Sequence, residues 1–405
     1  VTNSPAVSSR APLPVVAIVT RHWGQAANEA AAATRLVAGA LARHADVAVV
    51  QLVEKAGATH LDSVFEIHPA AVHGANPRRS ALLRAALNGH ADASGPPPAA
   101  AELLRRYGGE APEVQGTLKE IAPDAVVLAG VDQPWDVSVL GRPGDGSRPP
   151  VLVIPFLDAG RPVPAEILRL VEHADRIGTI HPDERATLVG LAPGRERDIV
   201  PIDLAIGVNR HATADPLVGV AAFGEYVLLI RRFPAAGPRL ERSVNAEMLP
   251  AILDGLSVAE VDGETWRICD DHNTAVLPVN PSGVNFARLV ARARATIDVR
   301  PPGPVGTMAI ESMLLGVPAV VPDGSAAKAH VAAANGGLWY RNIGELFDAV
   351  RVLVRTPIGA VLAGQGRAYA QTRHGDIDDF VARMVALVLG HRPAAPPHGE
   401  AGRGA

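Results

Sequence analysis

The chain has 405 residues, of which 48% are hydrophobic and 20% charged, and its 38 Lys+Arg against 42 Asp+Glu give a formal net charge of -4. That composition excludes a disordered chain, and the slight acidity argues against a nucleic-acid binder working through a global basic surface. Aromatic residues make up only 4%, so the cores are built from Ala, Val and Leu, which suits helices packed on parallel strands.

Residues 1–13 are polar, with Pro5 and Pro12, and read as a flexible N-terminus without a signal sequence. The apolar run 14–20 predicts a buried parallel strand, followed by the loop Arg21-His22-Trp23-Gly24-Gln25, an Ala-rich helix over 26–43 and a strand over 46–52. Strand, loop, helix and strand within this length form a right-handed βαβ unit. Helices are predicted over 80–87 and 99–107, and short buried strands over 125–129 and 151–155. A helix over 164–173, a strand over 176–180, a helix over 183–191 and a strand over 199–202 follow. Gly207, Asn209-Arg210-His211 and Pro216 then break the periodicity, which marks a domain boundary near 206–222.

A strand over 226–230 opens the second half, continued by strands over 264–269 and 275–279. Next come a helix over 286–294, a strand over 296–299, a helix over 307–315, a strand over 319–321 and a helix over 343–353. A helix over 377–389 closes the fold. The domain reading is therefore a first Rossmann-like domain over 14–206 and a second over 207–375. A C-terminal helix over 376–391 returns to the first domain, and a disordered tail covers 392–405. No apolar run approaches the roughly 18 residues that span a bilayer. Cys269, the single cysteine, allows no intrachain disulfide framework and reads as a strand hydrophobe in a reducing, cytoplasmic setting. The Ala, Arg, Gly and Pro bias fits a GC-rich bacterial genome.

The segment 300–321 carries the most chemistry. A strand runs into a Gly/Pro loop holding Gly303 and Gly306, and a helix opens at Thr307-Met308. Unpaired amides and the positive dipole end at such a terminus suit a diphosphate, and glycine lets the backbone come close to it. Glu311, about one turn in, could accept hydrogen bonds from two vicinal ribose hydroxyls. Taken alone, the loop could equally be an ordinary strand-to-helix turn.

The run Glu311-Ser312-Met313-Leu314-Leu315-Gly316-Val317-Pro318-Ala319-Val320, with Asn335-Gly336-Gly337-Leu338 and Glu345-Leu346 downstream, resembles the C-terminal signature of the family 4 (group 1) retaining glycosyltransferases. Weaker likeness covers most of the chain, including Val200-Pro201-Ile202-Asp203 and the strand from Tyr226. The resemblance implies the GT-B architecture: an α/β chain with two Rossmann-like domains facing across a cleft. It implies transfer of a sugar, with retention, from a nucleotide diphosphate sugar to a glycan, lipid-linked or small-molecule acceptor, and no metal or cofactor. Arg232 matches the family's phosphate-binding arginine, Glu311 the ribose-binding glutamate, and Gly24 the Gly-rich loop facing the donor.

The chain departs from the family at several points. Of the two glutamates seven residues apart, the first position is Gly303, and the lysine after the arginine is Ala235 or Ala236. The cleft histidine after the strand over 151–154 has Asp158 as its nearest polar counterpart. The site reading is thus Arg232 and Asp158 as catalytic residues, and Gly24, Arg232, Gly303, Gly306, Thr307, Met308 and Glu311 as donor-binding residues. Bland readings stand beside these: a strand-end arginine for Arg232, a turn residue for Asp158, packing roles for His22, Trp23 and His181. No His/Cys cluster has zinc-like spacing, and Asp270-Asp271-His272 reads as a turn. The basic zone at Arg78, Arg79, Arg84, Arg105 and Arg106 reads as a solvated face or an anionic acceptor patch, which leaves peripheral contact with the inner membrane face open. Two other functions remain: a non-catalytic relative acting as a binding or regulatory partner, and a nucleotide-sugar 2-epimerase on the same fold.

Overall fold

Short, continuous aliphatic runs organise the chain into two sheets. The computed structural model describes residues 13–20, 29–54, 65–70, 118–119, 121–130, 148–157, 162–163, 165–206, 225–231, 256–262, 265–269, 274–277, 284–299 and 303–390. The first sheet comprises β1 (Val15–Thr20), β2 (Asp46–Glu54), β3 (Phe65–Ala70), β4 (Ala125–Ala129), β5 (Val151–Ile154), β6 (Arg176–Thr179) and β7 (Ile199–Pro201). Their order is β3-β2-β1-β4-β5-β6-β7, parallel throughout except for β3 at the edge. β4 and β5 are buried at every position, as strands covered on both faces must be, which is why they carry no polar alternation. Helices α1 (Glu29–Leu41), α2 (Ala165–His173) and α3 (Pro182–Leu191) accompany this sheet. α1 buries Ala30, Ala31, Ala33, Val37 and Leu41, a small-residue face that lets it lie close to the sheet.

The second sheet comprises β8 (Tyr226–Arg231), β9 (Ser257–Asp262), β10 (Thr265–Cys269), β11 (Thr274–Leu277), β12 (Ala293–Asp298), β13 (Ala319–Pro322) and β14 (Gly337–Tyr340). Their order is β11-β10-β9-β8-β12-β13-β14, with β10 antiparallel to both its neighbours, β9 and β11, and every other pair parallel. Around it lie α4 (Val284–Arg292), α5 (Thr307–Leu314), α6 (Ala326–Ala334), α7 (Ile343–Arg355) and α8 (Ile358–His374). The last helix, α9 (Ile377–Leu389), leaves this domain and buries Phe380, Val381, Met384, Val385 and Val388 in one core with Val16, Ile18, Val127 and Ile154 of the first sheet. Fully burying each such large side chain contributes about 1.5–3 kcal/mol, which ties the two ends of the chain into one unit.

In each sheet the chain order reverses once, between β1 and β4 in the first and between β8 and β12 in the second. Ligand crevices of open α/β sheets form outside the strand C-termini at such reversals. Gly303 to Gly306 follow β12 there, and Gly24 and Arg232 follow β1 and β8 in sequence.

Several elements differ from the sequence reading. The helix expected to reach Arg294 ends at Arg292, and β12 begins at Ala293 rather than Thr296, with an irregular register against β8 between those residues. β3, β9, α6, β14 and α8 had no counterpart in the reading. The helices expected over 80–87 and 99–107, the boundary segment beyond Ile206, Asp270-Asp271-His272 and the tail over 392–405 lie outside the described residues. Among the described residues, no helix is long and apolar enough to cross a membrane.

Candidate functional site

β12 ends at Asp298, and its loop leads through Gly303, Pro304 and Val305 to Gly306, which caps α5 in the left-handed region at φ 73°. A Cβ at Gly306 would lie 2.6 Å from the backbone nitrogen of Ala327, so glycine is required twice, for conformation and for space. Thr307, Met308 and Glu311 share the half-buried face of α5, while Ala309, Ile310, Ser312, Met313 and Leu314 are buried. Ser312 accepts from the Thr296 hydroxyl of β12 at 2.8 Å, which fixes the helix to the strand it follows.

The α5 terminus holds an anion from the other domain. The Glu29 carboxylate, at the N-terminal end of α1, accepts from the Gly306 amide at 2.9 Å, from the Val305 amide at 3.3 Å and from the Thr307 hydroxyl at 3.2 Å. A side chain at position 303 would crowd this contact, since its Cβ would sit 2.5 Å from Glu29 Oε2 and the carboxylate would have to shift. Two helix N-termini thus converge on one carboxylate from opposite sides of the cleft, and both positive dipole ends favour negative charge there.

A second seam joins the domains behind the cleft. His181 caps α3 by accepting from the Glu184 amide at 3.2 Å, and its Nε2 lies 3.3 Å from the Leu157 carbonyl. Its ring meets that of His330 on α6 edge-on at 6.4 Å, and His330 meets His374 of α8 at 5.4 Å. His374 Nδ1 faces the Leu204 carbonyl at 2.9 Å, whereas its Nε2 is buried with no hydrogen-bond partner. Burial holds the His330 imidazole well below its ordinary range, and the neighbouring His374 and His181 add to this; burial likewise lowers His374. Beside the rings, Ile206 packs with Ile310, Met313, Leu314, Ala334 and Ala370.

Glu184 links this seam to the strand end after β5. It accepts from the Leu157 amide at 2.9 Å and the Ile180 amide at 2.6 Å, and it is 1% exposed. Burial pushes its carboxyl up to about 7, against the backbone donors that favour the ionised form. Phe156, in the same strand exit, has φ 54°, so this carboxyl holds a strained turn in place.

Of the expected site residues, Gly303, Gly306, Thr307, Met308 and Glu311 come together around the α5 terminus. Gly24, Arg232 and Asp158 lie outside the described residues, immediately after β1, β8 and the β5 exit, as do His22 and Trp23. Sequence reading passed over Glu29 and Glu184. Glu29 had no signal beyond its place at the start of a helix, because the partner it contacts is 277 positions away. Glu184 sits in the first turn of α3, where an acid is ordinary, so its burial against the β5 exit had no local signal. No group of three or more His, Cys, Asp or Glu among the described residues is arranged to hold a metal ion.

No family model matches the sequence, and no curated protein sequence matches it significantly. Solved structures do resemble it. Sucrose-phosphate synthase from Thermosynechococcus elongatus superposes with a TM-score of 0.55 at 14% identity, covering 92% of this chain and 98% of that one. HepE of Anabaena in complex with UDP gives 0.54 at 13% identity, covering 92% and 98%. The N-terminal domain of Candida albicans trehalose-6-phosphate phosphatase gives 0.52 at 8% identity, covering 92% and 97%. At these identities the likeness is one of fold, and the chain has the GT-B architecture of two facing α/β domains.

Proposed function

We propose that the chain is a glycosyltransferase that moves a sugar from a nucleotide diphosphate sugar to a hydroxyl acceptor, with retention at the anomeric carbon. The observation that carries the reading is the anion-holding α5 terminus, which lies at the switch point of the second sheet and faces α1 of the first. The fold-level resemblance to HepE, solved in complex with UDP and with UDP-glucose, supports a nucleotide-sugar ligand. In the reaction the bond between the anomeric carbon and the diphosphate oxygen breaks, and the electron pair leaves with the nucleoside diphosphate. A new bond forms to the acceptor oxygen, whose proton is released. Amides at Val305 and Gly306, together with Arg232, would stabilise the charge gathering on the departing diphosphate. Glu311 would accept from the ribose hydroxyls and Gly24 would approach the donor from the first domain. Asp158, the next residue in sequence after the turn that Glu184 braces, would face the transferred sugar or the acceptor. The first domain would bind a glycan, lipid-linked or small-molecule acceptor, in the cytoplasm or at the inner face of the membrane. The reaction would use no metal or other cofactor.

The second reading, a non-catalytic relative, is favoured by one observation: the donors of the anion site are held by the protein's own Glu29. A calorimetric and thermal-shift screen of nucleotides and nucleotide sugars separates the two, because a ligand that binds the native state raises its stability by mass action. Saturable binding of one nucleotide, lost in Glu311→Ala, together with hydrolysis or transfer of the matching sugar, supports the transferase. Binding without turnover, or no binding at millimolar ligand, favours the non-catalytic relative.

A further inference from the structure

We infer that Glu29 is a displaceable internal anion, a latch that occupies the diphosphate subsite in the ligand-free protein and must leave when a donor enters. This rests on the donor-site reading of the α5 terminus and adds the regulation of that site. The geometry is that of a substitute ligand. Both carboxylate oxygens are engaged, Oε2 by the Val305 and Gly306 amides and Oε1 by the Thr307 hydroxyl. A phosphoryl oxygen would use the same backbone donors, which carry no selectivity for carbon over phosphorus. The carboxylate and a diphosphate cannot share them, because two anions at contact distance repel strongly in a partly enclosed site.

Gly303 makes the arrangement specific. A β-carbon there would lie 2.5 Å from Glu29 Oε2 and 3.0 Å from its carboxyl carbon, so the absence of a side chain is what admits a carboxylate from the opposite domain. The contact joins α1 to α5 on the cleft side only. The seam through His181, His330 and His374 touches the same loop through the Val305 backbone but uses none of the three donors that hold Glu29. Release of Glu29 therefore loosens the cleft face while the rear of the interface persists. The ligand's apparent affinity is reduced by the fraction of molecules in which the latch is closed.

The test is calorimetric titration of UDP and of inorganic pyrophosphate into the full chain and into Glu29→Gln and Gly303→Ala. The first variant removes the charge. The second keeps the charge but crowds the carboxylate off its donors. Both are expected to bind UDP and pyrophosphate tighter, on the order of tenfold. Amide hydrogen exchange at Val305 and Gly306 is expected to speed up in the ligand-free variants. Unchanged or weaker affinity in Glu29→Gln overturns the latch while leaving the donor site intact. If none of the proteins binds either anion, the donor-site reading fails, and exchange alone decides: faster exchange in the variants keeps Glu29 as an interdomain latch, and unchanged exchange overturns it.

Discussion

The two seams that join the domains are built from opposite materials. Behind the cleft, His181, His330 and His374 pack edge to face beside Ile206 and its aliphatic partners, all with little or no exposure to water. At the cleft, the contact is a half-buried carboxylate on backbone amides. An apolar seam draws its strength from area removed from water and has no substitute available in solution. A carboxylate on a helix terminus can be replaced by any anion of suitable shape. The first arrangement suits a joint that persists and the second a contact that opens, so the fold assigns permanence and exchange to different faces of one interface.

Damage to the two seams should then read out differently. Ile206 is 8% exposed among Ile310, Met313, Leu314, Ala334 and Ala370. Ile206→Ala is expected to cost about 2–4 kcal/mol, from lost transfer energy and a residual cavity. A denaturant or thermal melt measures this. Nucleotide affinity at the α5 terminus should change less than in a cleft substitution, because Ile206 packs on Ile310, Met313 and Leu314 along the helix and not on the amides that open it. If Ile206→Ala changes affinity as much as a cleft substitution does, the seams are one coupled unit and the comparison breaks.

Acid provides a sharper probe, because the rear seam holds groups whose titrations oppose each other. His330 and His374 are kept below their ordinary range, so the unfolded chain takes up protons first as pH falls below about 6.5, and stability is lost toward acid. Glu184 is raised to about 7, so the folded chain takes up its proton first, and stability is lost as pH rises from the ordinary carboxyl range through 7. Each histidine held neutral contributes a slope of up to about 1.4 kcal/mol per pH unit, and Glu184 a similar slope of opposite sign. Asp203, Arg373 and Arg383 flank the rings and modulate the midpoint. Stability measured between pH 5 and 7 should fall more steeply toward acid in Glu184→Gln and more gently in His330→Met. Parallel curves for the parent and both variants would show that neither group titrates differently on folding.

Much of this architecture was legible because the strands are short, buried runs. β4 and the helix over 377–389 were read to the residue, and β1, β5 and β6 to within a residue or two. The failures have physical causes. α8 carries Gly359, Gly364 and Gly366, poor helix formers, yet its buried face of Gly359, Leu362, Gly366 and Ala370 lets it press against α5, where a Cβ on Gly366 would meet Met313 at 2.9 Å. Close packing overrides propensity there, and no local pattern announces it. The Glu311 to Pro318 run was recognised from its order of residues. Part of that order is structural, since Ser312 bonds Thr296 and Gly316 turns the chain at φ 75°. Glu29 was invisible because its meaning lies in the partner across the cleft, and the empty side-chain position at 303, read as a loss, is where that partner fits.

The smallest effect is expected where the sequence ends meet at the surface. Arg43, in the turn just after α1, pairs with Asp378 of α9 at 2.9 Å, but the two side chains are 47% and 86% exposed. An exposed pair gains little in high dielectric and loses side-chain freedom. Arg43→Ala should therefore shift stability by no more than about 0.5 kcal/mol, although it removes an ion pair that joins the turn after the first helix to the last helix. The burial of Phe380, at 2% exposure in the core shared with Val16 and Ile18, is what holds α9 in place. A loss well beyond that figure that shrinks as salt is added would mean that charge, rather than apolar burial, returns the C-terminus to the first domain. The permanent contacts of this chain would then not be confined to its apolar seams.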